Sequence, residues 1–218
     1  MGILIQNINK KLGDPPNHIL KNISFKIEDG EFIALTGRSG SGKSTLLYVI
    51  SSLDPATSGE VIIDNQNLNK LSKEDLHRFR NLNMGFVFQF HYLLPELTAI
   101  ENILMPARKF EKEKILKNKA QELLQTFGLE NKADRLPRQL SGGEQQRVAI
   151  ARSLIMNPKY LFADEPTGNL DSQNGQIVMD IFKKINKENK TTIVFVTHDP
   201  GFASLATRQI VLVDGVQR

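Results

Sequence analysis

The chain contains no cysteine among its 218 residues, which excludes disulfides and thiolate metal sites. No apolar run approaches the roughly 20 residues that a helix needs to cross a bilayer. The N-terminus, MGILIQNINKK, is too short and too polar for a secretory signal, so a protein that stays on the side where it was made is expected. A dense basic block is also missing. The net charge of +4 and pI of about 9.2 come from lysines scattered among acids, as on an ordinary solvated face, so nucleic acid is not expected as a partner. There is no internal repeat, low-complexity tract or long linker, and the length suits one domain carrying a smaller inserted lobe.

Hydrophobic residues at 40% and charged residues at 24% are those of a globular chain able to bury a core without staples. Ile3, Ile5 and Ile8, a turn at Gly13-Asp14-Pro15-Pro16, then Ile23, Phe25 and Ile27 read as two strands in an N-terminal β region. Short strands are expected at Glu31–Thr36, Val61–Asp64 and Gly85–Gln89. Helical spacing covers Glu111–Phe127, which Gly128 is placed to stop, and Leu136–Met156 reads as loop then helix. The last third alternates: a strand at Tyr160–Ala163, a helix near Gln173–Lys187, and strands at Thr192–Thr197 and Gln209–Val213. That order argues for an α/β fold with a parallel sheet.

The segment Gly37-Arg38-Ser39-Gly40-Ser41-Gly42-Lys43-Ser44, followed by Thr45, fits the phosphate-loop pattern G-x-x-x-x-G-K-[ST] in full. An apolar strand precedes it and an apolar helix follows it. Glycines let backbone N–H groups converge on phosphate oxygens, and the new helix aims its N-terminal dipole at the same anion. Lys43 supplies a cation to the β- and γ-phosphates of ATP, and Ser44 a hydroxyl to Mg2+. The strand Tyr160-Leu161-Phe162-Ala163 ends in Asp164 and Glu165. Asp164 is placed to hold the Mg2+ shell, and Glu165 to orient or deprotonate the attacking water.

A further string, Leu140-Ser141-Gly142-Gly143-Glu144-Gln145-Gln146-Arg147, combines a capping-box pattern at Ser141 and Glu144 with backbone N–H groups exposed by Gly142 and Gly143. Together with the phosphate loop and the acidic strand end, it resembles the signature of the ATP-binding cassette family. Gln89 stands where that family has its glutamine, Gly168-Asn169-Leu170-Asp171 where it has a loop at the dimer contact, and His198 where it has a switch histidine. Singly, Gln89 reads as an exposed strand end, His198 as a capping residue and Asp171 as the N-cap of the next helix; in this order they resemble one family across nearly the whole chain.

The resemblance implies one nucleotide-binding domain over 1–218, with a phosphate-loop core and mixed, mainly parallel sheet. An N-terminal antiparallel β subdomain completes the core (about 1–90 and 157–218), and a helical subdomain is inserted at about 91–156. It also implies a head-to-tail dimer, each ATP lying between one copy's phosphate loop and the other's Ser141, Gly142, Gly143 and Glu144. Gln89 would reach Mg2+, His198 the γ-phosphate, and Asp171 the other subunit. A departure from the pattern falls at Leu12, where many cassettes place an aromatic residue against adenine.

The stretch Phe88–Ile103 resembles cassettes of bacterial lipoprotein-releasing systems, while Ala163–Asp171 is shared with macrolide-exporter-type and cell-division cassettes. Membrane permease subunits as partners, a place on the cytoplasmic face of the inner membrane and no direct contact with cargo are what this resemblance implies. A non-transport cassette usually carries long insertions or a second fused cassette. A regulatory binder without turnover would not need both Glu165 and His198.

Overall fold

The computed structural model describes residues 2–218. Strand β1 (Gly2–Leu12) pairs antiparallel with β2 (Asn17–Glu28) and, on its other edge, with β4 (Ser58–Ile63), which β5 (Gln66–Asn67) extends. Ile3, Ile5, Ile8, Leu20, Ile23 and Ile27 all point into the core. The three-residue steps Ile5–Ile8 and Leu20–Ile23 break strict alternation. Asn7 and Asn22 adopt left-handed backbone at φ 49° and 52°, and the pairing register shifts there. Each shift re-aims the following isoleucine inward, as a bulge does.

The second sheet has the order β10-β9-β3-β8-β7-β6. Its members β3 (Phe32–Thr36), β6 (Met84–Phe88), β7 (Tyr160–Asp164), β8 (Thr192–Val196) and β9 (Arg208–Val213) run parallel, and β10 (Val216–Gln217) is antiparallel at the edge. Alternate strand residues feed two cores. Phe32, Ala34, Leu161, Ala163, Ile193 and Phe195 face the core shared with helices α3 (Ala99–Arg108), α4 (Glu113–Thr126), α5 (Gly142–Leu154) and α6 (Ser172–Asn189). Ile33, Leu35, Tyr160, Phe162, Val194 and Val196 face helix α1 (Lys43–Ile50) and the N-terminal sheet. Burial on both faces explains why these strands read as continuous apolar runs. A short helix, α7 (Pro200–Ala203), follows β8.

Helix α2 (Lys73–Asn83) falls between the strands expected at Val61–Asp64 and Gly85–Gln89, in a stretch that the sequence presents as mainly β. It buries no residue fully, and only Leu76 and Phe79 pack in part against the core; its clearest signal is the cap, Ser72 accepting from the Asp75 N–H at 3.1 Å. Helix α3 likewise announces itself by its start, a capping box between Thr98 and Glu101. Its buried Asn102 accepts from Leu94 N–H and donates to the carbonyls of Leu94, Leu97 and Thr98, which fixes the loop leading into it.

Candidate nucleotide site

The carboxyl ends of β3, β6, β7 and β8 lie along one edge of the parallel sheet. In open α/β sheets that edge is where ligands bind. It is here that the expected phosphate loop, Gln89, Asp164, Glu165 and His198 emerge.

Strand β3 runs into Gly37 at φ 138°, where a Cβ would meet the Leu212 carbonyl oxygen at 2.2 Å, so only glycine fits. Gly42, at φ 99°, turns the chain into α1. Helices α2, α3, α5 and α6 are capped by the side chains of Ser72, Thr98, Ser141 and Asp171, but α1 has neither a capping side chain nor an acid in its first turn. Its first N–H groups are left for an anion. Lys43 is buried, and its ammonium donates to the carbonyls of Gly37 and Arg38, both at 3.0 Å. The loop thus folds around its own cation. Arg38, Ser39 and Gly40 are solvent-facing at its crest, and the hydroxyl of Ser41 is buried with no hydrogen-bond partner.

From α1, Ser44 Oγ donates to Asp164 Oδ1 at 2.8 Å, and one turn later Tyr48 Oη donates to Asp164 Oδ2 at 2.5 Å. Burial, reinforced by Asp164, pushes the Tyr48 phenol far above its ordinary range, so it remains a donor. Asp164 is thus oriented by two hydroxyls from one helix. Among the described residues no group of three or more His, Cys, Asp or Glu side chains could cage a metal. One carboxylate beside one hydroxyl is instead what Mg2+ uses when a substrate's phosphates supply further ligands.

Glu165, just beyond β7, is held at φ 44°, left-handed backbone that is costly for a residue with a Cβ. His198 Nδ1 lies 3.4 Å from its Oε2. Both line a cavity of about 240 Å³ together with Gly168, Asp171 and Thr197. The structure therefore brings the expected base and the switch histidine together. Gln89 follows β6 and is paired with Asn169, its Nε2 donating to Asn169 Oδ1 at 3.2 Å while Asn169 Nδ2 donates to the Gln89 carbonyl at 3.1 Å.

The signature lies apart. No hydrogen bond or ion pair among the described residues joins Ser141–Glu144 to the phosphate loop. Ser141 caps α5 by accepting from Glu144 N–H at 3.3 Å, and Glu144 Oε2 accepts from Ser141 N–H at 2.7 Å. That backbone contact first, then Lys132, holds the Glu144 carboxyl below the usual range. Ser141 and Gly142 are exposed while Gly143 is buried. Asp171 caps α6 through Asn174 N–H at 2.8 Å, the role its sequence position allowed on local grounds.

Four further participants carry no role assigned from the sequence, although Asn169 and Gln146 stand inside motifs quoted above. Tyr48 is one, and Asn169 another. Gln146 donates from Nε2 to the Pro166 carbonyl at 2.7 Å, bracing the segment after Glu165. Asn174 donates to Asp171 Oδ2 at 2.8 Å and accepts from Arg147 Nη1 at 3.3 Å. A Cβ on Gly143 would meet Asn174 Oδ1 at 2.3 Å. Gly143→Ala is therefore expected to displace Asn174 from both partners and to lower ATP turnover roughly tenfold, about one charge-assisted hydrogen bond. The double variant with Asn174→Ala, which removes the obstructing amide, is expected to turn over no slower than Gly143→Ala, since the amide's bonds are already lost, and both should melt close to the unaltered chain. Steady-state turnover and melting curves of the two variants test this; a fully active Gly143→Ala would remove the close contact from consideration.

A family profile described as ABC transporter matches residues 20–168. The chain belongs to that family, and the geometry above is that of its ATPase cassette. Among curated relatives, the lipoprotein-releasing system ATP-binding protein LolD of Leptospira interrogans is 56% identical over 98% of this chain and 90% of its own length. The LolD protein of Aquifex aeolicus is 52% identical over 90% and 88%. Among solved structures, the ATP-binding cassette MJ0796, in a dimeric post-hydrolysis state bound to ADP and Pi, superposes with a TM-score of 0.89. It shares 41% identity, and 99% of this chain and 97% of that one are covered.

Proposed function

We propose that this chain is the ATP-hydrolysing subunit of a bacterial lipoprotein-releasing system. In this reading two copies bind head to tail and drive a membrane permease from the cytoplasmic face of the inner membrane. The observation that carries the composite site is that α5 and α1 pack in different cores on opposite faces of the parallel sheet, with Ser141 and Gly142 exposed on the surface. One chain holds half of each constellation, and a second copy supplies the other half. The LolD relatives support the transport role; MJ0796, solved as a dimer, supports the pairing. Among the described residues no helix is long and apolar enough to cross a membrane, which fits a subunit that acts through membrane partners.

In this reading the backbone of Gly37–Thr45 and the Lys43 ammonium bind the ATP phosphates. Ser44, Asp164 and Gln89 would hold Mg2+, which neutralises charge on the phosphate oxygens. Glu165 accepts the proton of the attacking water. His198, whose Nδ1 faces Glu165, orients that water and contacts the γ-phosphate. Ser141, Gly142 and Gly143 of the second copy close the site, with Glu144 holding their helix start in shape and Asp171 beside the contact. Adenine packs near Leu12, which is exposed at the end of β1. The subdomain division at about residues 91 and 156 belongs to the same proposal, the intervening helices forming the lobe that turns the signature toward the other copy.

The test is purification of the full-length tagged chain from membranes of its host. The expected result is an integral membrane permease in the same complex and, after reconstitution, ATP-dependent release of lipoprotein from the vesicles. A complex that turns over ATP but releases no lipoprotein would leave a cassette with a different cargo. Recovery with ribosomes or nucleic acid in place of a permease would overturn the transport reading.

A further inference from the structure

Ser44 and Tyr48 stand four residues apart on α1, so their side chains share one face of the helix. Their hydroxyls reach the same carboxylate, one to each oxygen. Ser44 Oγ donates to Asp164 Oδ1 at 2.8 Å, and Tyr48 Oη to Oδ2 at 2.5 Å. The second bond is at the short, strong end of the range for a hydroxyl on a carboxylate. Aromatic rings support the phenol. Tyr48 lies against Phe88 with centroids 6.5 Å apart, Phe88 stacks on Phe86 at 6.3 Å, and Phe86 on Phe162 at 5.9 Å.

Asp164 is 9% exposed, and among the described residues no lysine or arginine pairs with it. Three other partly covered aspartates are neutralised. Asp54 meets Lys10 at 2.6 Å, and Asp29 and Asp64 meet Lys159 at 3.1 and 2.6 Å. The other phenol bonded to an aspartate sharpens the contrast. Tyr160 Oη donates to Asp64 Oδ1 at 2.9 Å, but Asp64 already has its lysine. Lys43, at the start of the same helix as Tyr48, is spent on the Gly37 and Arg38 carbonyls. Buried charges are ordinarily paired or coordinate a metal. The charge of Asp164 is therefore left for a mobile cation.

The two hydroxyls hold that carboxylate unequally. Ser44 Oγ and Asp164 Oδ1, 2.8 Å apart, match the spacing of neighbouring oxygens around Mg2+, about 2.9 Å for an octahedron with bonds of about 2.0–2.1 Å. A serine hydroxyl rotates freely, so its bond gives way to a cation. Tyr48 does not give way: the ring fixes its oxygen, and burial keeps the proton on it. Asp164 is thus left with one free oxygen rather than two. Mg2+ demands near-ideal octahedral geometry, which a carboxylate bound through both oxygens distorts. Ca2+ takes about six to eight oxygens in flexible geometry and accepts both oxygens of one carboxylate.

We infer that Tyr48 sets the cation preference of the site: by holding Asp164 Oδ2 it leaves a single carboxylate oxygen to the cation, which suits Mg2+ and penalises Ca2+. The inference rests on the Mg2+ reading above and names a residue that lies outside the phosphate loop and the acidic strand end. Tyr48 is a positioning residue, since it touches Asp164 and neither nucleotide nor cation. Freed of the phenol, the carboxylate turns both oxygens to a larger cation. A phenol that merely finds an acceptor in the core has a different signature: its loss affects every cation alike.

The test is the affinity of the full-length chain for the non-hydrolysable β,γ-imido analogue of ATP, measured by titration calorimetry with Mg2+, with Ca2+ and with neither. In the unaltered chain Mg2+ should strengthen binding at least about tenfold more than Ca2+ does. Tyr48→Phe removes one oxygen and keeps the ring. It should leave the affinity without divalent cation unchanged and shrink the preference for Mg2+ over Ca2+ at least about fivefold, through stronger binding with Ca2+. Tyr48→Met also lacks the hydroxyl and fills the space with an adaptable chain, so it should shift the ratio the same way. Melting curves establish that each variant is folded, and a misfolded one leaves the other to decide. An unchanged ratio in a folded variant overturns the inference. So does an equal loss of affinity with both cations, which would reduce Tyr48 to orienting Asp164, and so does an unaltered chain that takes Mg2+ and Ca2+ equally well. If neither cation changes the affinity of the unaltered chain, the Mg2+ reading itself fails and the inference falls with it.

Discussion

Glu165→Gln is expected to abolish steady-state ATP hydrolysis while leaving ATP binding intact, and an ATP-bound dimer should accumulate. The amide matches the carboxylate in size and keeps the backbone demand at φ 44° unchanged. It does not accept a proton from water. Loss of a positioned general base typically costs about 10²- to 10⁴-fold in rate. His198 Nδ1, 3.4 Å from Glu165 Oε2, remains as a neighbour that can orient water but has lost its anionic partner. Phosphate release under saturating ATP measures the first effect, and gel filtration with and without ATP the second. Wild-type turnover in this variant would assign proton acceptance to another group, and a monomer in the presence of ATP would break the link between retained ATP and pairing.

Lys43→Ala should act earlier, on binding itself. The ammonium is buried and already turned inward, donating to the Gly37 and Arg38 carbonyls at the centre of the loop. Removing it deletes the loop's fixed cation and leaves those two carbonyls with lost donors. Charge-assisted hydrogen bonds contribute about 1.5–3 kcal/mol each, so nucleotide affinity should fall by roughly 10- to 100-fold. Titration calorimetry with ATP measures it directly. The two variants separate cleanly: Lys43→Ala weakens ATP and ADP alike, whereas Glu165→Gln spares both and stops turnover. Unchanged affinity in Lys43→Ala would place the phosphates elsewhere.

The parallel sheet was legible because β3, β7 and β8 are buried on both faces, so their apolar runs needed no register to be seen. The loop Gly37–Thr45 was legible because its glycines have a steric reason, as Gly37 against the Leu212 carbonyl illustrates. Helix α2 was not, because none of its residues is fully buried and Leu76 and Phe79 alone make too short a stripe to stand out beside its Ser72 cap. Helix α3 is marked by the same kind of device at Thr98 and Glu101, which sits at the end of a segment that otherwise reads as an irregular loop. Tyr48, Gln146 and Asn174 escaped for another reason. Their roles depend on what lies across the fold from them: Asp164 is 116 positions from Tyr48, and the Pro166 carbonyl is 20 from Gln146. Sequence spacing carries no trace of such contacts.

Gln146 sits within α5, one and a half turns from Ser141, and its side-chain amide reaches the Pro166 carbonyl at 2.7 Å and the Phe88 carbonyl at 3.4 Å. A single NH2 group therefore fastens the signature helix to the ends of β6 and β7, where Gln89 and Glu165 begin. A swing of α5 would strain or break those two bonds, so the surface carrying Ser141 and the strand end carrying Glu165 are joined through one side chain. Under the pairing proposed above, a tilt of that helix at the contact with the other copy would be felt at the same subunit's Glu165.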